Sequence, residues 1–253
     1  MGEPSRLSIT RGDFLAEVPG YLAATRGMFE EMKTLDHPSD SQQSGREIYR
    51  RIHGFASTTK LLNLPVAAQV GSALAALLKK LSDNPKILTA STSNTVCKAI
   101  DFMERWCIAA VEEKFAEHPP IRLLVVEDEP LAKRAVMSTL QQVFEKPESA
   151  SNGAAALALA VENPYDVIFT DVQMPVMDGF ELCTLIRQTA LNGSTPVVFI
   201  SARTDAASQS QGLASGGTDF IAKPFLPIEM AVKALTFAWE RRLQQCANRE
   251  ASA

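Results

Sequence analysis

Ile121-Arg122-Leu123-Leu124-Val125-Val126-Glu127-Asp128 decides the fold of the second half of this chain. It is an apolar run without alternation that stops abruptly at two carboxylates. Val167-Ile168-Phe169-Thr170 stops in the same way at Asp171, and Val197-Val198-Phe199-Ile200 at Ser201. The weaker run Thr218-Asp219-Phe220-Ile221-Ala222 leads into Lys223-Pro224. A strand that is apolar on both sides is buried on both faces, as in a parallel sheet covered by helices. Helical segments fill the gaps, at 129–143, 153–162, 178–190, 204–214 and 226–245. Five βα units are the natural count, so the remaining strand falls on Pro147-Glu148-Ser149-Ala150. That strand is short and headed by a residue that cannot donate to a ladder. The expected fold is an α/β (βα)5 doubly wound parallel sheet over 121–245, followed by a tail at 246–253.

Upstream the period changes from strand to helix. Phe14, Leu15, Val18, Leu22, Met28, Phe29 and Met32 recur at helical spacing with one slip near Gly20. Residues 34–45, TLDHPSDSQQSG, are polar and break the pattern. Ile48, Ile52, Phe55, Thr59 and Leu62 then form a clean stripe. Pro65 suits the first turn of a third helix carrying Val70, Leu74, Leu77, Leu78 and Leu81, and Asn84-Pro85 breaks it. A last helix runs from about Thr95 to Phe115, with Ile100, Met103, Trp106, Cys107 and Val111 inward. Residues 1–117 therefore read as an all-α up-and-down bundle. His118-Pro119-Pro120 is the boundary, a stiff extended linker through which no helix passes.

Composition narrows the function class. At 253 residues the chain has room for two ordinary domains. With 46% apolar and 21% charged residues it reads as globular rather than disordered. The net charge of −4 falls entirely on residues 119–253, so neither half carries the basic excess of a nucleic-acid binder. No apolar run spans a bilayer and the first residues lack the apolar core of a secretory signal. No membrane or nucleic-acid partner is expected. Cys97, Cys107, Cys183 and Cys246 lack metal-type spacing and read as the reduced thiols of a cytoplasmic protein.

In an open parallel sheet, ligand groups gather at the carboxyl ends of the strands. Glu127, Asp128, Asp171, Ser201 and Lys223 all lie just past strand ends, so this fold brings them together. Crowded carboxylates need a cation, and hard oxygen donors with open positions suit Mg²⁺. The metal neutralises phosphate charge while an Asp carboxylate attacks phosphorus, giving an aspartyl phosphate. Lys223 and Ser201 are placed to hold phosphoryl oxygens.

The pieces LLVVEDE, VIFTDVQMPVMDG, VVFISA and DFIAKPF resemble the receiver domain of two-component response regulators, a flavodoxin-like fold. The resemblance implies that Asp171 is the phosphoacceptor. Glu127 and Asp128 become the acidic pair for Mg²⁺, with the backbone carbonyl of Gln173 as a further ligand. Ser201 and Lys223 contact the phosphoryl group, and Phe220 takes the aromatic switch position, coupled to movement of the Ser201 hydroxyl. The Lys223-Pro224 bond is usually cis in that family. Gln173 and Arg203 flank the entry and tune phosphate lifetime. Such a domain is not an enzyme in the usual sense, since it catalyses only its own phosphorylation and dephosphorylation. Its phosphodonor is a histidine kinase or a histidine phosphotransfer (HPt) protein, and its output is a downstream protein partner.

One residue of the first half also points to phosphate chemistry. Arg46, Arg50, His53, Ser57 and Lys60 step along one helix face beside the apolar stripe. RRIHGFASTTKLLNLP is similar to the signature of HPt domains, helical bundles that carry a phosphorylatable histidine. Ala56 and Ser57 stand where that family has Lys and Gly, which favours an HPt-like interaction or dimerisation module over a phosphate carrier. The primary expectation is a response regulator accepting a phosphoryl group on Asp171, its helical half acting as a regulatory module. The alternatives are a phosphorelay intermediate in which His53 exchanges phosphate with a receiver Asp, and a regulatory piece of a larger protein with an output domain such as a diguanylate cyclase.

Overall fold

A computed structural model describes residues 10–35, 37–109, 119–202 and 205–251. The chain forms two compact units, one drawn from Met1–Leu88 and Val96–Glu117, the other from Thr89–Thr95 and His118–Ala253. The second unit thus takes in Thr89–Thr95, which the sequence assigned to the helical half.

The first unit is helical. α1 (Arg11–Met32) starts where the Thr10 hydroxyl accepts from the Asp13 amide, and it buries Val18, Leu22, Thr25, Phe29 and Met32. α1 ends at Met32 and α2 (Pro38–Leu61) begins well before its apolar stripe, so the helices do break in the first part of 34–45, but 38–45 are helical and not part of the break that their polarity suggested. The correction has a simple cause: Pro38 pre-sets the first turn, Asp40 favours the positive helix end, and a solvent-facing turn needs no apolar residue. Gly45 then meets Ser82 of α3 (Pro65–Asp83) closely, with room for a Cβ only at 3.3 Å from it. Ile48, Ile52, Phe55 and Thr59 are buried, as are Val70, Leu74, Leu77, Leu78 and Leu81. A short 3-10 turn (Pro85–Ile87) leads to α4 (Ala90–Ala109), which starts five residues before the expected Thr95. Val111 and the expected end at Phe115, like His118 of the linker, lie outside the described residues.

The second unit is a five-stranded parallel sheet in the order β2-β1-β3-β4-β5. Its strands are β1 (Leu123–Val126), β2 (Glu148–Ala150), β3 (Val167–Asp171), β4 (Val197–Ser201) and β5 (Asp219–Ala222). The helices are α5 (Pro130–Leu140), α6 (Gly153–Glu162), α7 (Gly179–Ile186), α8 (Ala206–Ala214) and α9 (Pro227–Ala251). α9 runs on past residue 245, so 246–251 continue the helix rather than form a separate tail.

Every residue of β1, β3 and β4 is buried. Alternate side chains explain why both faces must be apolar. Leu124, Val126, Ile168, Val197 and Phe199 share a core with Ala156, Ala160, Leu182, Cys183 and Ile186 of α6 and α7. Leu123, Val125, Phe169, Val198 and Ile200 are the opposite set in the pleat and are equally buried. Each large side chain so buried contributes roughly 1.5–3 kcal/mol. The strand ends are set by polar clamps that periodicity does not reveal. Buried Asn192 accepts from the Tyr165 amide at 2.8 Å and donates to the carbonyls of Ala160 and Asn163. Arg242 binds Asp166 and the carbonyls of Pro119 and Pro120. Among the described residues no helix is long and apolar enough to cross a membrane.

Candidate phosphoacceptor site

Four strand ends carry the site. Asp171 is the last residue of β3 and Ser201 the last of β4. Glu127 directly follows β1, its amide donating to the Ala150 carbonyl at 3.2 Å, which extends the β1–β2 pairing by one residue. Lys223 directly follows β5, its amide bound to the Ser201 carbonyl at 2.8 Å, and its bond to Pro224 is cis. Because the strands are parallel, all of these groups emerge at one sheet edge.

Glu127 is 1% exposed and Asp171 5%, whereas Asp128 is partly open to solvent. One oxygen from each of Glu127, Asp128 and Asp171 lies within 4.8 Å of the others. Lys223 Nζ reaches Glu127 Oε2 at 3.2 Å and pairs still more closely with Asp171 Oδ2. The Gln173 amide donates to the other Asp171 oxygen, Oδ1, at 3.0 Å, while the Gln173 side chain is exposed. Burial pushes the Glu127 carboxyl above the usual carboxylate range, and the Asp171 charge pushes it further; Lys223 only partly offsets this. For Lys223, burial pulls its pKa down, but the two carboxylates outweigh that and hold it above its ordinary value. The site is therefore an acidic pocket closed by one ammonium. Its donor set, three hard carboxylate oxygens around an open position, fits a small divalent cation such as Mg²⁺.

The remaining expected residues fall in different places. Phe220 on β5 packs against Phe199 with ring centroids 5.1 Å apart, and it is partly exposed. Its ring fits because position 212 is glycine, where a Cβ would lie 2.3 Å from Phe220 Cζ. Arg203 lies outside the described residues. His53 belongs to the first unit, on an exposed face of α2. It sits in an open depression of about 390 Å³ with Tyr49, Lys60 and Lys79, its ring 5.6 Å from that of Tyr49. Ala56, at the position where the HPt family has lysine, is buried.

Sequence reasoning missed the turn that shapes the Asp171 loop. The Met177 amide donates to the Pro175 carbonyl at 2.8 Å across Val176, whose φ is 70°. This is a γ-turn of the strained kind, held by a β-branched residue that is fully exposed. Gly179 then returns the chain under the strand end, its amide bound to the Val172 carbonyl at 3.0 Å. A Cβ at Gly179 would lie 2.3 Å from the Asp171 carbonyl oxygen, so only glycine fits. The signal was present as the Asp178-Gly179 pair, with Asp178 capping α7 through the Glu181 amide.

The parallel five-stranded sheet and the carboxylates gathered at its strand ends are those of a receiver-type domain. The response regulator receiver domain family matches residues 123–235. Over 116 residues the chain is 37% identical to the transcriptional regulatory protein ResD of Bacillus subtilis (strain 168), covering 45% of this chain and 47% of that one. Over 115 residues it is 36% identical to the transcriptional regulatory protein SrrA of Staphylococcus aureus (strain NCTC 8325 / PS 47), covering 45% and 46%. Among solved structures it is similar to the chemotaxis protein CheY4 of Vibrio cholerae, at 34% identity and a TM-score of 0.43, covering 45% of this chain and 94% of that one. The chain spans about half the length of the curated relatives it matches. Residues 123–235 are a response regulator receiver domain of the two-component type.

Proposed function

We propose that this protein receives a phosphoryl group on Asp171 in a two-component pathway, and that the helical unit serves as its interaction or regulatory module. The observation that carries this reading is the meeting of Glu127, Asp128 and Asp171 within 4.8 Å, with Lys223 spanning two of them. An Asp171 carboxylate oxygen attacks phosphorus as the P–N bond of a donor phosphohistidine breaks, and the imidazole leaves with the bonding electrons. Glu127, Asp128, Asp171 and the Gln173 carbonyl would hold Mg²⁺, which when bound neutralises the negative charge of the phosphoryl oxygens. Lys223 moves its ammonium from the carboxylate to a phosphoryl oxygen, and the Ser201 hydroxyl donates to another. Gln173, whose side chain is exposed, governs with Arg203 how readily water reaches the acyl phosphate. The donor is a histidine kinase or an HPt protein, and the output is a protein contact.

A second reading, a relay through His53, draws support from the exposure of that side chain between Lys60 and Lys79. Both cations would offset the charge of a phosphorylated imidazole. One experiment separates the two. The protein is incubated with labelled acetyl phosphate and Mg²⁺, and the label is tested in acid and in base, with Asp171→Asn and His53→Ala alongside. A base-labile label lost in Asp171→Asn and unchanged in His53→Ala is the expected result. A base-stable label requiring both residues would establish the relay, and no label in the parent protein would refute both readings.

A further inference from the structure

The second unit contains a polar cluster that phosphoryl acceptance does not use. Glu229, in the first turn of α9, is 1% exposed. Its carboxylate accepts from three hydroxyls of the Thr89–Thr95 segment: Ser91 at 2.6 Å, Thr92 at 2.9 Å and Thr95 at 3.0 Å. Thr92 and Thr95 are themselves buried. The Ser91 hydroxyl also lies 3.1 Å from the Phe220 carbonyl of β5. A hydroxyl has one proton to give, so Ser91 shares it between α9 and the strand. β5 is an edge strand, and the segment satisfies a backbone acceptor that this edge would otherwise show to solvent.

The same strand leads directly to the phosphoacceptor. Lys223 follows β5 and pairs with Asp171 and Glu127, three residues beyond Phe220. A phosphoryl group on Asp171 sets new acceptors farther out than the carboxylate oxygens, and the ammonium must follow them. The pull acts on the end of β5. Phe220 also borders a cleft of about 500 Å³ whose other walls include Ser91 and Asn94, so this part of the strand has space in which to move. The shared Ser91 bond is the contact that such a shift strains first.

We propose that Thr89–Thr95 is a latch on the β5–α9 face, held by Ser91, Thr92 and Thr95 on Glu229, and loosened when Asp171 carries a phosphoryl group. The latch rests on the phosphoacceptor reading above and adds to it the segment that responds. Its chemistry is an exchange of hydrogen bonds, with no bond made or broken beyond the phosphorylation itself.

Hydrogen exchange on the full chain tests it, with Mg²⁺ and beryllofluoride as the phosphoryl mimic. Peptides over β1–α5 and over Asp171 report whether the mimic has bound. The expected result is protection of those peptides together with exchange at 89–97 faster by up to about tenfold, the loss of one hydrogen bond. In Asp171→Asn neither change occurs. Protected site peptides with unaltered exchange at 89–97 would overturn the latch and leave the phosphoacceptor reading standing. No protection in the parent protein would overturn both. The mild variant Ser91→Ala should already show the faster exchange without the mimic, and exchange equal to the parent would also overturn the latch.

Discussion

The surroundings of Asp171 and of His53 make an instructive pair. Asp171 is buried, both of its oxygens are engaged, and its backbone is packed against Gly179. His53 lies open on a helix face beside Gly54, where an added Cβ would touch nothing within 4 Å. The two sites share a phosphate-compatible residue set, yet only one is preorganised. A group in a closed, low-dielectric pocket has its charge and position set by fixed neighbours, and these strengthen its interactions. A group on an exposed helix face has neither, and whatever it does depends on what a partner brings. The first arrangement is costly to alter and the second is cheap.

Substituting glycine beside each residue gives the sharpest contrast. Gly179→Ala should destabilise the receiver domain by about 3 kcal/mol, because the new methyl meets the backbone of Asp171 rather than a movable side chain. Urea unfolding monitors this, and a change below about 1 kcal/mol would mean that the loop yields easily and the site is less fixed than its geometry indicates. Acidification is the next largest effect. The Glu127 carboxyl holds its proton to a higher pH than an ordinary carboxylate, and a metal must displace that proton. Mg²⁺ affinity, followed by calorimetry, should therefore fall as pH drops through the raised Glu127 pKa, by up to about tenfold per unit below it. Affinity that stays flat down to the usual carboxylate range would show Glu127 to be no ligand.

Val176→Asn should stabilise the domain by about 1 kcal/mol, since Asn tolerates the positive φ that valine resists and no packing is lost at an exposed position. Loss of stability there would reveal a contact made by the valine. Gly54→Ala, beside His53, should gain about 0.5–1 kcal/mol from helix propensity alone, opposite in sign to its counterpart at 179. The smallest effect is that of His53→Ala, within about 0.5 kcal/mol of the parent protein in thermal or urea unfolding. A large loss there would erase the distinction between the two regions.

The receiver half was legible because its strands are continuous apolar runs and its chemistry sits where those runs stop. Even β2, short and headed by proline, is present at Glu148–Ala150. The helical half was legible only where a stripe faced a core. The first turns of α2 were missed because their residues face solvent, and polarity there says nothing about conformation. The same blindness hid the start of α4, whose hydroxyl-rich first turns carry no apolar stripe and instead bury Thr92 and Thr95 against Glu229.

Residue order alone determined which half is α/β, which carboxylates lie at strand ends, and that a lysine follows the last strand. These follow from local period and from the fixed geometry of parallel strands. Three features belong to the tertiary structure alone. Lys223 closes onto both Asp171 and Glu127, Gly179 admits the strand end, and Glu229 gathers three hydroxyls from residues more than 130 positions away. The lysine and Glu229 contacts join groups that are distant in sequence, Gly179 closes on Asp171 within one loop, and in each case only the packing of the unit decides which groups meet.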